Sequence, residues 1–312
     1  MFKVIISILF AVTLTLALQA QDFGIFESDT ELSDALQSIV TALDLDGNFE
    51  VGEDGIEQIS LAVIDLNAKN PNIGGVNLKN FIYPASVYKV YVAAEILNQV
   101  SAGKISLYSD YIVTSPNDVD RTKEITSDPR PLIRDGDTVN VNYLLDLMIT
   151  RSDNSAANCL IDVADRKNIN RMIQQYNWHG SEVTRKFLSR KFEDKGYTEI
   201  QGTETCALHA AEFLYKIETN QLINPWISMQ MKTLLGRQLD KSKLAAGLPE
   251  NVMIWHKTGW FSYWTNDIAI VDDGTIKYIV ACFMPLKAPL ANQKHAELSQ
   301  KIYKLIKERY EK

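Results

Sequence analysis

Segments of strand character cluster toward the two ends of this 312-residue chain, and most of what lies between them carries helical spacing. Residues 59–66 and 77–81 read as two strands joined through the Asn70-Pro71-Asn72 turn region. Far downstream, residues 252–257, 267–271 and 277–283 read as strands, with Asp272-Asp273-Gly274 as a hairpin turn. Between the two groups, helices are expected over 86–100, closed by Gly103, and over 141–149, 155–163, 169–176, 206–217 and 226–235. A final helix is expected over 290–310. Strands, a block of helices, then strands and a closing helix imply an α+β fold. The expected core is an antiparallel sheet flanked by terminal helices, with a helical subdomain inserted at about 86–240. Residues 104–140 are polar and turn-rich, and 180–202 hold charges without a period, so both read as loops.

The N-terminus divides into two further parts. Lys3 precedes an apolar run over 4–18, and Leu18-Gln19-Ala20 offers a small-residue cleavage site. A positive start, a short apolar stretch and such a site are the marks of a secretory signal peptide, expected over 1–20. Export to the periplasm or medium follows, with no stable membrane insertion, since no later run approaches the ~20 apolar residues that a span needs. Residues 21–58 hold eleven Asp or Glu and no Lys or Arg. This acidic flank carries one amphipathic helix over 30–45, capped by Asp29 or Thr30, with Leu32, Leu36, Ile39, Val40 and Leu43 on one stripe. Asp44-Leu45-Asp46-Gly47-Asn48 has the acids of a calcium loop, but its glycine comes too early and Gly55 stands where a bidentate Glu belongs, so it reads as an acidic turn.

Residues 59–312 form the expected catalytic domain. The whole chain carries a net charge of −7, while this portion alone is close to +3. Neither figure is the strongly basic footprint of a nucleic-acid binder. Cys159, Cys206 and Cys282 are widely spaced in apolar settings without metal-ligand spacing, and read as buried free thiols, with one disulfide as the alternative.

Three short motifs carry the chemistry. Ser86-Val87-Tyr88-Lys89 opens a helix, where positions i and i+3 share a face and bring the amine toward the hydroxyl. A serine hydroxyl needs a base to become a nucleophile, and a desolvated lysine can be that base. Ser152-Asp153-Asn154 lies between two helices, so that a hydroxyl and a carboxamide can both face a cleft. Lys257-Thr258-Gly259 ends an apolar strand, where Lys and Thr can grip a carboxylate and the glycine lets a ligand backbone lie close. Each alone is commonplace, because capped helices and strand-end charges are everywhere.

Together, and in this order, they are the signature set of class A β-lactamases and penicillin-binding proteins. Ser86 and Ser152 are 66 residues apart, and Ser152 and Lys257 are 105 apart, separations that resemble the class A family. The blocks around Arg151-Ser152-Asp153-Asn154 and from Ala246-Gly247-Leu248-Pro249 to Gly259 are similar to that family as well. The resemblance covers residue 59 to the C-terminus. It implies that Ser86 accepts the acyl group and that Lys89 is its base. Ser152 would relay a proton to the leaving nitrogen, and Asn154 would steady substrate and Lys89. Lys257 and Thr258 would bind substrate carboxylate, with Gly259 and Trp260 beside them. The backbone N–H groups of Ser86 and Trp260 would form the oxyanion hole, each donor worth about 3 kcal/mol of barrier. No metal and no organic cofactor is implied, and the expected partner is a small β-lactam or a cell-wall peptide bound to a monomer.

Two departures stand out. The family carries a loop Glu that activates the deacylating water, and aligning Val183-Thr184-Arg185 with the start of that loop puts Arg190 in its place. Glu193 is the best substitute base, with Asp194 and Glu199 nearby in a charged loop. The strand after Gly259 also lacks the family's carboxylate-binding Arg, because residues 260–275 contain no Arg or Lys. The expected activity is therefore exported serine hydrolysis of β-lactams with slow deacylation. The alternatives are a D-alanyl-D-alanine peptidase acting on cell-wall peptides, or a non-catalytic relative that keeps the cleft. Trp255, Trp260 and Trp264 read as core aromatics, with one of them free to line the pocket mouth.

Overall fold

The computed structural model of the chain describes residues 25–52, 55–120, 128–189 and 202–311. In chain order the elements are β1 (Glu27–Ser28), α1 (Thr30–Ala42), β2 (Phe49–Glu50), β3 (Ile56–Glu57), β4 (Ser60–Asp65) and β5 (Asn72–Val76). A 3₁₀ turn (Ala85–Tyr88) leads into α2 (Lys89–Ser101), followed by β6 (Asp110–Ile112), β7 (Thr138–Asn140) and α3 (Val141–Asp146). A π-helical turn (Leu147–Arg151) precedes α4 (Asn154–Ala164), α5 (Arg166–Gln175), α6 (Ala207–Glu218) and α7 (Pro225–Leu235). The chain closes with β8 (Met253–Phe261), β9 (Trp264–Asp272), β10 (Lys277–Met284) and α8 (Leu290–Tyr310).

The principal sheet has the order β1-β5-β4-β10-β9-β8. Its seam is the antiparallel pairing of β4 with β10, which brings Ala62 opposite Ala281 and sews the two ends of the chain together. Every residue of β4 is buried, so both faces of the strand must be covered. Alternation assigns the faces. Leu61 and Val63, with Val280 and Cys282 of β10, pack on α1 and α8 through Leu36, Val40, Leu298 and Ile302. Ala62 and Ile64, with Ile279, Ala281 and Phe283, turn to the helical side, where Tyr91 of α2 and Phe213 of α6 lie. The terminal helices therefore sit on one face and the inserted helices on the other.

The second strand differs from expectation. It runs over Asn72–Val76, not 77–81, and passes through Gly74 and Gly75. Glycine weakens strands, which hid this one, but the packing demands it here. A Cβ on Gly75 would lie 2.2 Å from the carbonyl oxygen of Leu61, and one on Gly74 would lie 2.6 Å from Leu32. The expected helices from 86 and 141 are also not uniform, since one begins as a 3₁₀ turn and the other ends as a π turn. Cys159, Cys206 and Cys282 are free and buried, and burial pushes the first two thiols up to about 12 and about 11. Among the described residues no helix is long and apolar enough to cross a membrane.

His295 of α8 is fully buried against the sheet. Its Nε2 lies 2.9 Å from the Thr265 carbonyl, which can only accept, so that nitrogen carries the proton. Burial pushes its pKa down to about 4; the Thr265 bond and the Asp267 and Asp240 charges oppose this, while Lys243 reinforces it. Below the unfolded value of about 6.5, the unfolded chain gains a proton that the native state refuses. Stability is thus complete above about pH 6.5, falls as pH drops toward 4, and levels off below that, by on the order of 3 kcal/mol for this one group. Urea midpoints measured between pH 7 and 4 should show this fall, and His295→Gln should flatten it. An unchanged slope in the variant would assign the acid limb elsewhere.

Candidate active site

Ser86 owes its position to the strained entry of α2. Ala85 has φ +48°, a left-handed conformation that costs a non-glycine residue roughly 1–2 kcal/mol. That bend turns the chain from Pro84 into the 3₁₀ turn, and Val87 N–H donates to the Pro84 carbonyl at 3.1 Å. Lys89, one turn on, is fully buried. Its Nζ donates to Ser86 Oγ at 3.0 Å, Ser152 O at 2.7 Å, Ser152 Oγ at 3.3 Å and Asn154 Oδ1 at 2.7 Å. A buried ammonium is tolerable only when paired with acceptors in this way.

Ser152 and Asn154 reach Lys89 because of how the preceding helix ends. The π turn over Leu147–Arg151 terminates at Ser152, which has φ +59°, and Asp153 then caps α4 by accepting from Ala156 N–H at 2.8 Å. Such π turns and left-handed residues often sit where a side chain must be aimed. Arg151 is buried beneath the break, paired with Asp153 at 2.9 Å and donating to the Arg130 carbonyl at 2.8 Å. Lys257 of β8 is fully buried too, and its Nζ donates to Ser152 Oγ at 2.9 Å and to the Thr258 carbonyl at 2.6 Å. The Ser152 hydroxyl therefore lies between two lysines. Five chemistry-bearing residues of the three motifs (Ser86, Lys89, Ser152, Asn154 and Lys257) are brought together by these bonds.

A cavity of about 590 Å³ opens above them, lined by Ser86, Ser152, Asn154, Thr258, Gly259 and Trp260 among others. That size suits a small-molecule site. Trp260 and Phe261 are 63% and 58% exposed at its rim, whereas Trp264 is buried and donates to Glu57 at 2.7 Å. Trp255 lies outside the cavity, under the Lys232 ammonium. Gly259 lines the cavity and also meets a packing demand that its motif does not reveal. A Cβ there would meet Pro84 O at 2.7 Å, Ser86 N at 2.9 Å and Val87 N at 3.0 Å. The glycine makes room for the turn that carries Ser86, and so brings β8 against it.

The loop after α5 was expected to supply the water-activating group. Arg190, Glu193, Asp194 and Glu199 lie outside the described residues. Within the described part of that loop, Phe187 is the residue that meets Lys89, with its ring centre 4.2 Å from Nζ. The ring stacks on Tyr88 at 4.8 Å and 6°, and Asn158 Oδ1 accepts from the Phe187 N–H at 2.7 Å. Phe187 gave no sequence signal, since a lone aromatic in a loop has no period. Asp120 was missed in the same way. It lines the cavity and accepts from Asn154 N–H at 2.6 Å and Asn154 Nδ2 at 3.1 Å.

A profile of the Beta-lactamase enzyme family matches residues 46–306. The chain belongs to that family. No curated protein matches it. Among solved structures, the β-lactamase of Sphaerobacter thermophilus DSM 20745 is similar with a TM-score of 0.72 and 16% identity, covering 88% of this chain and 97% of that one. PBP-A is similar with a TM-score of 0.74 and 18% identity, covering 91% and 99%. An ancestral class A β-lactamase reaches 0.69 and 20%, covering 88% and 99%. At these identities the structural likeness establishes the α+β class A fold, and the family match establishes β-lactamase-like kinship.

The contact at Gly259 yields a test of this family member's site. Gly259→Ala forces β8 away from the nucleophile turn, and reaction of Ser86 with a fluorophosphonate should slow by about 10²-fold. Overpacking of this kind costs about 1–3 kcal/mol, readable as a lower melting temperature. Unchanged phosphonylation would mean that the strand and the turn are not in register for chemistry.

Proposed function

We propose that this chain is an exported serine hydrolase that opens β-lactam amides through an ester on Ser86 and releases that ester slowly. The observation that carries the reading is the 3.0 Å approach of Lys89 Nζ to Ser86 Oγ inside a shared cluster with Ser152 and Asn154. Lys89, as the amine, takes the Ser86 proton while Oγ attacks the lactam carbonyl. The oxyanion of the tetrahedral intermediate is met by the N–H groups of Ser86 and Trp260. As the C–N bond breaks, Ser152 hands its proton to the departing nitrogen and is reprotonated from Lys89. Lys257 and Thr258 hold the substrate carboxylate. The product of this half-reaction is an ester that contains the opened ring. The signal-like segment over residues 1–20 supports export.

Deacylation is the slow half. A water must lose its proton as it attacks the ester, and the Phe187 ring beside Lys89 offers no lone pair for it. Lost general-base help costs about 10²–10⁴ in rate. The same ring favours a second reading, a D-alanyl-D-alanine peptidase-like enzyme on cell-wall peptides, whose ester is resolved without a carboxylate-held water. The likeness to PBP-A, one variant of which forms an acyl-enzyme with penicillin G, is consistent with it.

Incubation with penicillin G should add one intact β-lactam mass to the protein, and Ser86→Ala should remain unlabelled. A chromogenic β-lactam should show a burst of one equivalent and then a steady state slower by about 10²-fold or more. Labelling of Ser86→Ala at full yield would overturn the nucleophile. Phe187→Glu puts a carboxylate beside Lys89 and should raise the steady-state rate by about 10-fold or more while leaving the burst intact. A fast, burst-free wild-type protein would show that its water is activated from elsewhere, with Glu193 the first residue to replace by Gln.

A further inference from the structure

We propose that Asp120 is a positioning residue of this site, one that holds the Asn154 carboxamide with its oxygen toward Lys89. The inference rests on the reading of Ser86 and Lys89 as nucleophile and base. Asn154 is the first residue of α4, and its backbone N–H has no partner within the helix. Asp120 Oδ2 accepts that N–H at 2.6 Å, and Oδ1 accepts the side-chain Nδ2 at 3.1 Å. The positive end of α4 favours a carboxylate at this point. On the other side, Asn154 Oδ1 accepts from Lys89 Nζ at 2.7 Å.

A carboxamide has two ends of nearly equal size, so packing alone does not choose between them. Asp120 makes the choice, because a carboxylate only accepts and must face Nδ2. If the amide turned over, Oδ1 would confront the carboxylate, acceptor to acceptor, and Nδ2 would stand where Lys89 now has an acceptor. Lys89 would lose one of its acceptors and its hold beside Ser86. Asp120 is itself fixed. Its N–H donates to Ser155 Oγ at 2.9 Å, and Asn117, three residues earlier, donates to Asp162 at 2.8 Å. Both anchors lie on α4, so the carboxylate and the amide that it aligns move with one helix.

The test compares wild type, Asp120→Asn and Asp120→Glu in reaction with penicillin G and, separately, with a fluorophosphonate, alongside melting temperatures. An Asn at 120 cannot accept at both of its side-chain atoms. Its acylation rate constant at saturating penicillin G should fall by about 10²-fold, while the concentration for half-saturation moves by less than about threefold. Asp120→Glu, which keeps the acceptor pair, should recover to within about tenfold of wild type. In an Asn154→Ala background, Asp120→Asn should cost nothing further, because the effect passes through that amide. An Asp120→Asn protein acylated at the wild-type rate would overturn the inference. So would the same loss in the Asn154→Ala background, or losses in all variants that track melting temperature alone. If Asp120→Asn does not fold, the Asp120→Glu and Asn154→Ala cycle decides by the same criteria. Wild-type Ser86 that takes the phosphonate but not penicillin G would remove the substrate reading and leave this inference to the phosphonate rates. Reaction with neither would remove both.

Discussion

The burial of one lysine organises this molecule. Lys89 sits at zero exposure, where an ammonium without partners would cost many kilocalories. Its acceptors come from three places, Ser86 one turn before it and Ser152 and Asn154 more than sixty residues later. Only a fold that returns the chain to the start of α2 can supply them. The helical insertion does this by packing α4 against α2, so that the break between the π turn and α4 lands on the lysine. A second buried lysine, Lys257, then arrives on the edge strand β8 and shares the Ser152 hydroxyl. Two lysine side chains can converge on one hydroxyl because its oxygen offers a lone pair to each.

The sheet turns this convergence into a rigid arrangement. The β4–β10 seam joins the N-terminal strands to the C-terminal hairpins, and the α1–α8 layer covers the face turned away from the site. Arg309 near the end of α8 pairs with Asp29, the cap of α1, and Tyr310 donates to Asp65 at the end of β4. With that face closed, the other is free to carry the inserted helices. β8 is the outermost strand on its side, and Gly259 lets it press against the turn that carries Ser86. The same absence of a side chain that weakens a strand thus permits the strand to lie against the Ser86 turn.

What could be read from the sequence, and what could not, follows from the kind of signal each feature leaves. The last helix was legible to its ends, 290–310, because its apolar stripe repeats for several turns. Ser86, Lys89, Ser152, Asn154 and Lys257 were legible because their spacing forms a set. The β5 strand was not, since Gly74 and Gly75 obey a packing demand made by Leu32 and Leu61, which are remote in sequence. Phe187 and Asp120 were illegible for a related reason. Each is a single loop residue whose meaning depends on what the fold sets opposite it, and loops carry no period to announce it. Gly259 was noticed for its place beside a ligand, while its contact with the protein's own backbone left no signal in the sequence.

Phe187 and Asp120 also bear on opposite halves of the same chemistry. Asp120 lies on the polar side, where its carboxylate holds the amide that receives Lys89; in the mechanism we propose, this favours proton transfer within the Ser86–Lys89–Ser152 group. Phe187 gives the lysine a π face, which attracts a cation but has no lone pair to take a proton. A proton delivered to Lys89 from Ser86 has acceptors to move along toward Ser152, and none on the ring. In the mechanism we propose, the described residues therefore serve the making of an ester more than its breaking. The distinction comes from two loop residues that the three motifs do not contain. A shared set of motif residues marks the family, while the slow release that we propose rests on the groups facing Lys89 and Asn154 from the loops.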